Sequence, residues 1–506
     1  MTITSRRAFL GGIGWTFGTT AVGVALAERL GFADALARVA PGRLRFGALD
    51  PLVDLLQETP ADELLPLAVQ RLRAGTSLAD LVGAAALANA RAHGGTYYNG
   101  YHALMAMMPS FEMAAQMPAP LGALPVLKVL HRNARFVHEA GREHEDALLP
   151  LAGAAEDVDL VARVRARDLE HAELDLAALE QRSGAQAYEA LQTVVRDEMN
   201  VHRIVLSWRA YDLLRVAGQE QALTLLRQSV RFCIDEDSER ARQGRPENEI
   251  RALLAELMGQ HGLDARERGT RAADEAWIER LADTCFANDR AAAARATASA
   301  LAEGYDPEDV GRALSLAATR LLLHDPGRTT AEPGKPVGSV HGASVGVHAS
   351  DAANAWRHVA RVGSARNAFA SLIAGAYHTA GQSAHVDALA HDHDAKPCTL
   401  AEPAALLSEI DGRIRDNDQA SACQAARRYC ALGHPSDALF AKLLGFAVSE
   451  DGALHAEKYF RTAQDEHEGA RPAHRALYLV ALTRVMASHF GFPAPGYDEA
   501  RKLLAS

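Results

Sequence analysis

The chain is expected to fold as an all-α protein, a large multi-helix array of packed antiparallel helical hairpins around a His-lined cavity. Ala, Leu, Arg and Glu dominate its periodic segments, apolar residues recur three and four apart, and runs of β-branched residues are short. The punctuation agrees: Asp50-Pro51 and Asp306-Pro307 each offer a capping aspartate followed by an N1 proline, and Gly75 offers a stop. The third sign is where histidine falls. His341, His348, His358, His378, His385, His391 and His393 place seven of the 21 histidines between Gly338 and Pro397, and imidazole is the commonest metal ligand among side chains.

The N-terminus reads TSRRAFLGGIGWTFGTTAVGVALA, with paired Arg6 and Arg7, then an uncharged run ending in the small-residue site Ala25-Leu26-Ala27. Residues 1–27 are therefore expected to be a twin-arginine export signal, which lies outside the folded body. Export would place the body in the periplasm or beyond and make the translocation machinery a partner. Membrane contact would come only through an uncleaved leader. The twin-arginine route carries proteins already folded, often with a cofactor inserted, which fits a bound metal. Removal of Arg6 and Arg7 shifts the formal charge from −11 to −13, and an acidic body without basic runs argues against a nucleic-acid partner. Five cysteines without a CxxC pair predict no disulfide framework.

Along the body, LLPLAVQRLRAG and SLADLVGAAALANARA read as a helical hairpin. HGGTYYNGYHALMAMM follows, in which Gly94, Gly95 and Gly100 interrupt a segment bearing His93, Tyr98, Tyr101 and His102. Glycines permit close backbone approach, and the tyrosines and histidines supply hydrogen-bonding and redox-capable groups, so this junction is a candidate pocket wall. Residues 159–182 and 187–216 each read as one long amphipathic helix, carrying the carboxylate–histidine pairs Asp168 with His171 and Glu198 with His202. Such pairs are units of carboxylate-bridged metal sites, and solvated ion pairs have the same spacing. HDPGRTTAEPGKPV then breaks the pattern. That break divides an N-terminal helical domain, 28–325, from a C-terminal His-rich helical domain, 338–506, through a linker loop at 326–337. Thr399 with Glu402 offers a capping box, and helices are expected at about 400–415, 419–431, 435–449, 453–467 and 471–490.

Spacing limits the histidines. His341 to His348 and His378 to His385 are seven apart, so on a helix each pair lies roughly 10.5 Å apart along the axis. A single centre would need one imidazole from each of several helices. GxGxxG after a strand, GxxxxGK[ST], HExxH and CxxCH are all missing, which leaves no nucleotide-cofactor or c-type haem motif. Gly342-Ala343-Ser344-Val345-Gly346 matches GxSxG, but a nucleophile elbow needs a strand that a helical chain does not supply.

Three segments together resemble the questin-oxidase-like family: YYNGYHALMAM at 97–107, SVHGASVGVHASDA at 339–352 and VSEDGALHAEKYF at 448–460. The resemblance implies an all-helical protein with a His-lined cavity and oxidative chemistry, and it points to His102, His341, His348, His455 and Lys458. On the residues themselves, imidazoles from several helices would hold iron, copper or zinc, with His102, His341, His348 and His455 as ligands and Glu198 and His202 in reserve. Tyr98 and Tyr101 would be hydrogen-bond donors, and Lys458 a charge that orients an acidic substrate. The expected function is an exported metal-dependent oxidoreductase acting on a small organic substrate, with aromatic compounds among the candidates. The alternatives are a non-catalytic protein holding a metal or non-covalent haem, and a helical scaffold for protein partners.

Overall fold

The computed structural model describes residues 42–139, 147–155, 157–332, 335–340 and 344–506. The export-signal segment and His341 lie outside the described residues. Regular structure among the described residues is helical, and strand-like pairing is limited to the isolated bridges Arg271–Tyr305, Glu332–Lys335 and Glu450–Pro493. No described helix is long and apolar enough to cross a membrane. All five cysteines are free. The larger of two compact units comprises 46–148 and 154–506, and everything below concerns it.

Ten helices frame the site: α1 (Leu78–His93), α2 (Tyr98–Ala114), α3 (Leu124–Val137), α4 (Val201–Asp212), α5 (Ala222–Arg242), α6 (Pro307–His324), α7 (Val345–Val362), α8 (Ala365–Gln382), α9 (His455–Gly469) and α10 (Arg475–His489). Four of them, far apart in sequence, close a ring in which α2 packs on α4, α4 on α7, α7 on α9 and α9 on α2. The others form an outer layer: α1 and α3 lie on α2, α5 on α4, α6 and α8 on α7, and α10 on α9. Residues 326–337, expected as a linker between domains, join α6 and α7, which pack directly on each other within the one unit.

Local chemistry fixes where two of the ring helices, and α8 outside them, begin. Asn200, Ser344 and Ser364 cap α4, α7 and α8 by accepting hydrogen bonds from the backbone N–H groups of His202 (2.9 Å), Val347 (3.3 Å) and Asn367 (3.2 Å). The GxSxG serine, Ser344, is thus a cap, and its hydroxyl donates to the Val340 carbonyl. Pro307 opens α6 behind an Asp306 cap, as expected. Two expected long helices are broken. Between 159 and 182 the chain turns at Arg167 (φ +61°) and restarts with Asp168 as cap, because an aspartate that accepts from the His171 N–H favours an N-terminus over a helix interior. Between 187 and 216 the helix stops at Val195 and restarts at Val201 for the same reason, with Asn200 as the cap. The Thr399–Glu402 capping box is not made: Glu402 is the residue before Pro403 and caps with no side-chain bond.

Close packing at α7 depends on Gly346. A Cβ there would lie 2.3 Å from the Leu322 Cα and 2.8 Å from its Cβ, and backbone cannot swing aside as a side-chain tip can. Gly346→Ala is expected to destabilise the protein by about 2 kcal/mol through overpacking. A thermal melt beside wild type reads the loss, and an unchanged midpoint would mean that α6 and α7 are looser than placed.

Candidate metal centre

Each ring helix carries one histidine within its first five residues: His102 on α2, His202 on α4, His348 on α7 and His455 on α9. Because four helix starts converge, so do the four imidazoles. Centroid separations around the ring are 4.8 Å (His102–His202), 5.4 Å (His202–His348), 5.4 Å (His348–His455) and 5.3 Å (His455–His102). The side chains therefore follow the same cyclic order as the helices.

Hydrogen bonds orient three of these rings. The Nδ1 of His102 lies 2.7 Å from the Tyr98 carbonyl oxygen, that of His202 lies 3.2 Å from Asn200 Oδ1, and that of His455 lies 3.0 Å from the Ala453 carbonyl oxygen. These acceptors require a proton on Nδ1, which leaves Nε2 as a bare lone pair in the neutral ring. The Nε2 atoms of His102, His202, His348 and His455 are all buried with no hydrogen-bond partner. A buried nitrogen without a partner costs about 1–3 kcal/mol, and four of them on one ring of neighbouring imidazoles are a strong departure from ordinary core packing.

All four rings are held neutral. Burial is the largest cause, and the Lys458 charge adds to it in each case, so His202 is lowered to about 3 and the other three lie well below the usual histidine value. The convergence of four helix N-termini acts the same way, since their exposed N–H dipoles oppose positive charge. Lys458 stands one turn after His455, 2% exposed, and burial lowers its ammonium to about 8 against the raising influence of Asp351 and Glu457. Asp351, on the turn of α7 after His348, accepts from Thr462 Oγ1 at 2.9 Å, and burial raises its carboxyl.

The backbone before α9 is strained to place His455. Ala453 and Leu454 have φ of +50° and +67°, a region that side chains other than glycine, Asn and Asp seldom adopt. Asp451 secures the turn by accepting from the Ala453 N–H at 3.1 Å while pairing with Arg132. Just inside α9, buried Lys128 and Glu457 pair at 2.7 Å. At α4 the residue after His202, Arg203, is 1% exposed, bonded to Asp237 (2.9 Å), Glu236 (3.1 Å) and the Val194 carbonyl (2.6 Å). Breaking such buried pairs is costly, so they hold the helix starts in register.

A cavity of about 560 Å³ reaches the centre from one side. Its lining includes His202, His348, Asn200, His378, Glu198 and Arg240. Glu198 is engaged by groups other than the imidazoles. It accepts from Asn248 at 2.5 Å and from the Met199 N–H at 2.8 Å, and it lies 3.8 Å from Arg240. Because α4 starts only at Val201, Glu198 and His202 do not share a helix face, which separates the expected pair. Tyr98 and Tyr101 pack their rings on His102 at 4.3 and 4.9 Å and on His202 at 6.1 and 5.4 Å. Tyr101 is buried, which pushes its hydroxyl up, whereas Tyr98 is 56% exposed.

No group of three or more His, Cys, Asp or Glu among the described residues already stands at metal-ligand geometry. The ring spacing is nevertheless of the order that ligation needs. For nitrogens about 2.1 Å from one ion, neighbouring ring centroids would lie about 4.5 Å apart at right angles and about 5.2 Å apart in a tetrahedron, against the 4.8–5.4 Å seen here. Of the residues singled out from the sequence, the fold thus gathers His102, His202, His348, His455, Lys458, Tyr98 and Tyr101, and sets Glu198 in the cavity lining. Asn200 and Asp351 were not singled out, although an Asn two residues before a His at a helix start is a legible cap signal. No family model, curated protein or solved structure matches the chain.

Proposed function

We propose that the chain is a metal-dependent oxidoreductase that binds a small organic molecule in the cavity beside the four-imidazole centre. The observation that carries this reading is the set of four buried, unpartnered Nε2 atoms on His102, His202, His348 and His455. A neutral nitrogen set suits iron, copper or zinc, and a redox-active ion there supplies electron transfer and dioxygen activation. The protein's own residues supply the rest. The Tyr98 and Ala453 carbonyls and Asn200 hold the ligating tautomers, and the ring of helices buries the Nε2 atoms. Lys458 adds a positive charge that, with the helix dipoles, favours an anionic oxygen on the substrate or beside the ion. The questin-oxidase-like resemblance implies the same class of chemistry.

The test is metal loading of untagged protein with Fe(II), Cu(II) and Zn(II), followed by elemental analysis after desalting. About one equivalent of at least one ion per chain is expected. Retention below about a fifth of an equivalent for every ion would end the reading. A bound ion that cannot be cycled between oxidation states would leave a metal-holding protein without redox turnover. Asn200→Ala should lower metal affinity about 10–100-fold through the lost Nδ1 support, with about 1 kcal/mol of stability from the lost cap. Equal affinity would show that Asn200 does not orient His202.

A further inference from the structure

We infer that His378 is a fixed hydrogen-bond donor that recognises an acceptor atom on the molecule occupying the cavity, a role apart from the four imidazoles of the centre. This rests on the metal reading for its location, and on separate contacts for its chemistry.

His378 lies on α8, outside the ring of four helices, and its ring lines the same cavity as His202 and His348. The indole Nε1 of Trp356, on α7, lies 3.3 Å from His378 Nδ1. An indole N–H can only donate, so Nδ1 must accept, and the proton of the neutral ring is placed on Nε2. Trp356 is 1% exposed and cannot turn away. Gly375, one turn before His378, lets the helices approach closely enough for this contact, since a Cβ there would lie 3.1 Å from the Trp356 Cβ and 2.9 Å from Leu314 Cδ2. Burial and the Arg290 charge lower His378 to about 4, so the ring stays neutral near pH 7.

The tautomer is thus opposite to that of the centre. His102, His202 and His455 present a bare Nε2, whereas His378 presents an Nε2–H. An N–H fixed beside a cation site selects a ligand that bridges the two, with one atom that can bind the ion and another that can accept a hydrogen bond. Carboxylates, enolates, phenolates bearing a neighbouring carbonyl, and linear anions have this form, whereas amines and hydrocarbons do not.

Azide, an anion with an acceptor nitrogen at each end, is a suitable probe with Co(II) as the reporting ion. Wild type, His378→Phe and His378→Gln are loaded with Co(II) and titrated with azide by visible absorption. Co(II) affinity should agree within about twofold among the three. The azide Kd should rise about tenfold in His378→Phe, the loss of one hydrogen bond, and largely recover in His378→Gln, which keeps a donor near the Nε2 position. An unchanged azide Kd in fully loaded His378→Phe would overturn the inference. Failure of wild type to bind Co(II) would instead count against the metal reading. The tautomer is then read in metal-free protein by imidazole nitrogen NMR, with His378 assigned as the signal lost in His378→Gln. A proton on Nε2 supports the inference, and one on Nδ1 overturns it, whether or not His378→Phe folds.

Discussion

His348→Ala is expected to abolish metal retention while the protein stays folded. One of four nitrogen donors disappears, and loss of a ligand from such a set lowers affinity by at least about 100-fold, since even a supporting partner is worth 10–100-fold. Stability should change much less than for an ordinary buried side chain. Truncation opens a void on α7, but it also removes a buried Nε2 that has no partner, and the two effects oppose each other. The measurement is metal content after desalting, paired with a thermal melt. His358→Ala is the control on the same helix. Its ring stacks on Trp208 at 4.5 Å and pairs with Asp465 at 3.2 Å, away from the centre, so it should keep its metal. Full retention in His348→Ala would dissolve the four-imidazole centre.

Acid should destabilise the metal-free protein steeply from just above pH 6.5 downward. The sign follows from proton counting. In the unfolded chain a histidine takes up a proton near pH 6.5, whereas in the folded protein His202 does so only near pH 3. Between those values the unfolded state binds more protons, so stability falls as pH falls. For His202 the loss between pH 7 and pH 5 is about 2 kcal/mol. His102, His348 and His455 are shifted in the same direction and add to it. Denaturant titrations at pH 7, 6 and 5 read the slope directly. His202→Gln should flatten it in the metal-free protein, since the variant has no proton to gain at that site. Bound metal should raise the stability at each pH without moving the onset of the fall, because that onset is set by proton uptake in the unfolded chain. Equal stability at pH 7 and 5 would mean that the four rings are hydrated and free to protonate.

The two expectations fail in different ways, which makes them useful together. The first needs the Nε2 atoms to point at a common centre. The second needs only that they be buried and neutral. A protein that passes the acid test and binds no ion would have an imidazole-lined cavity without a metal. One that binds an ion with no acid sensitivity would hold it at a more open site.

The amino-acid sequence alone determined the helical class. Three- and four-residue apolar spacing reports directly on which face of a helix is buried, and caps such as Asp306-Pro307 are read from neighbouring residues. It also marked four histidines individually: His348 by histidine density, His202 by its spacing from Glu198, His102 by its Tyr- and Gly-rich segment, and His455 through the family resemblance. It misjudged what depends on competition between neighbours: Asp168 and Asn200 satisfy backbone N–H groups and restart helices where periodicity ran on, so Glu198 left the face of His202. Only the tertiary structure decided that four histidines separated by 100, 146 and 107 positions stand as neighbours in one ring of imidazoles. Spacing along a chain constrains contacts within one helix; contacts between helices come from the packing of whole faces, to which every core residue contributes. The same packing set Trp356 against His378 and so chose a tautomer, a choice that no residue makes without its neighbour.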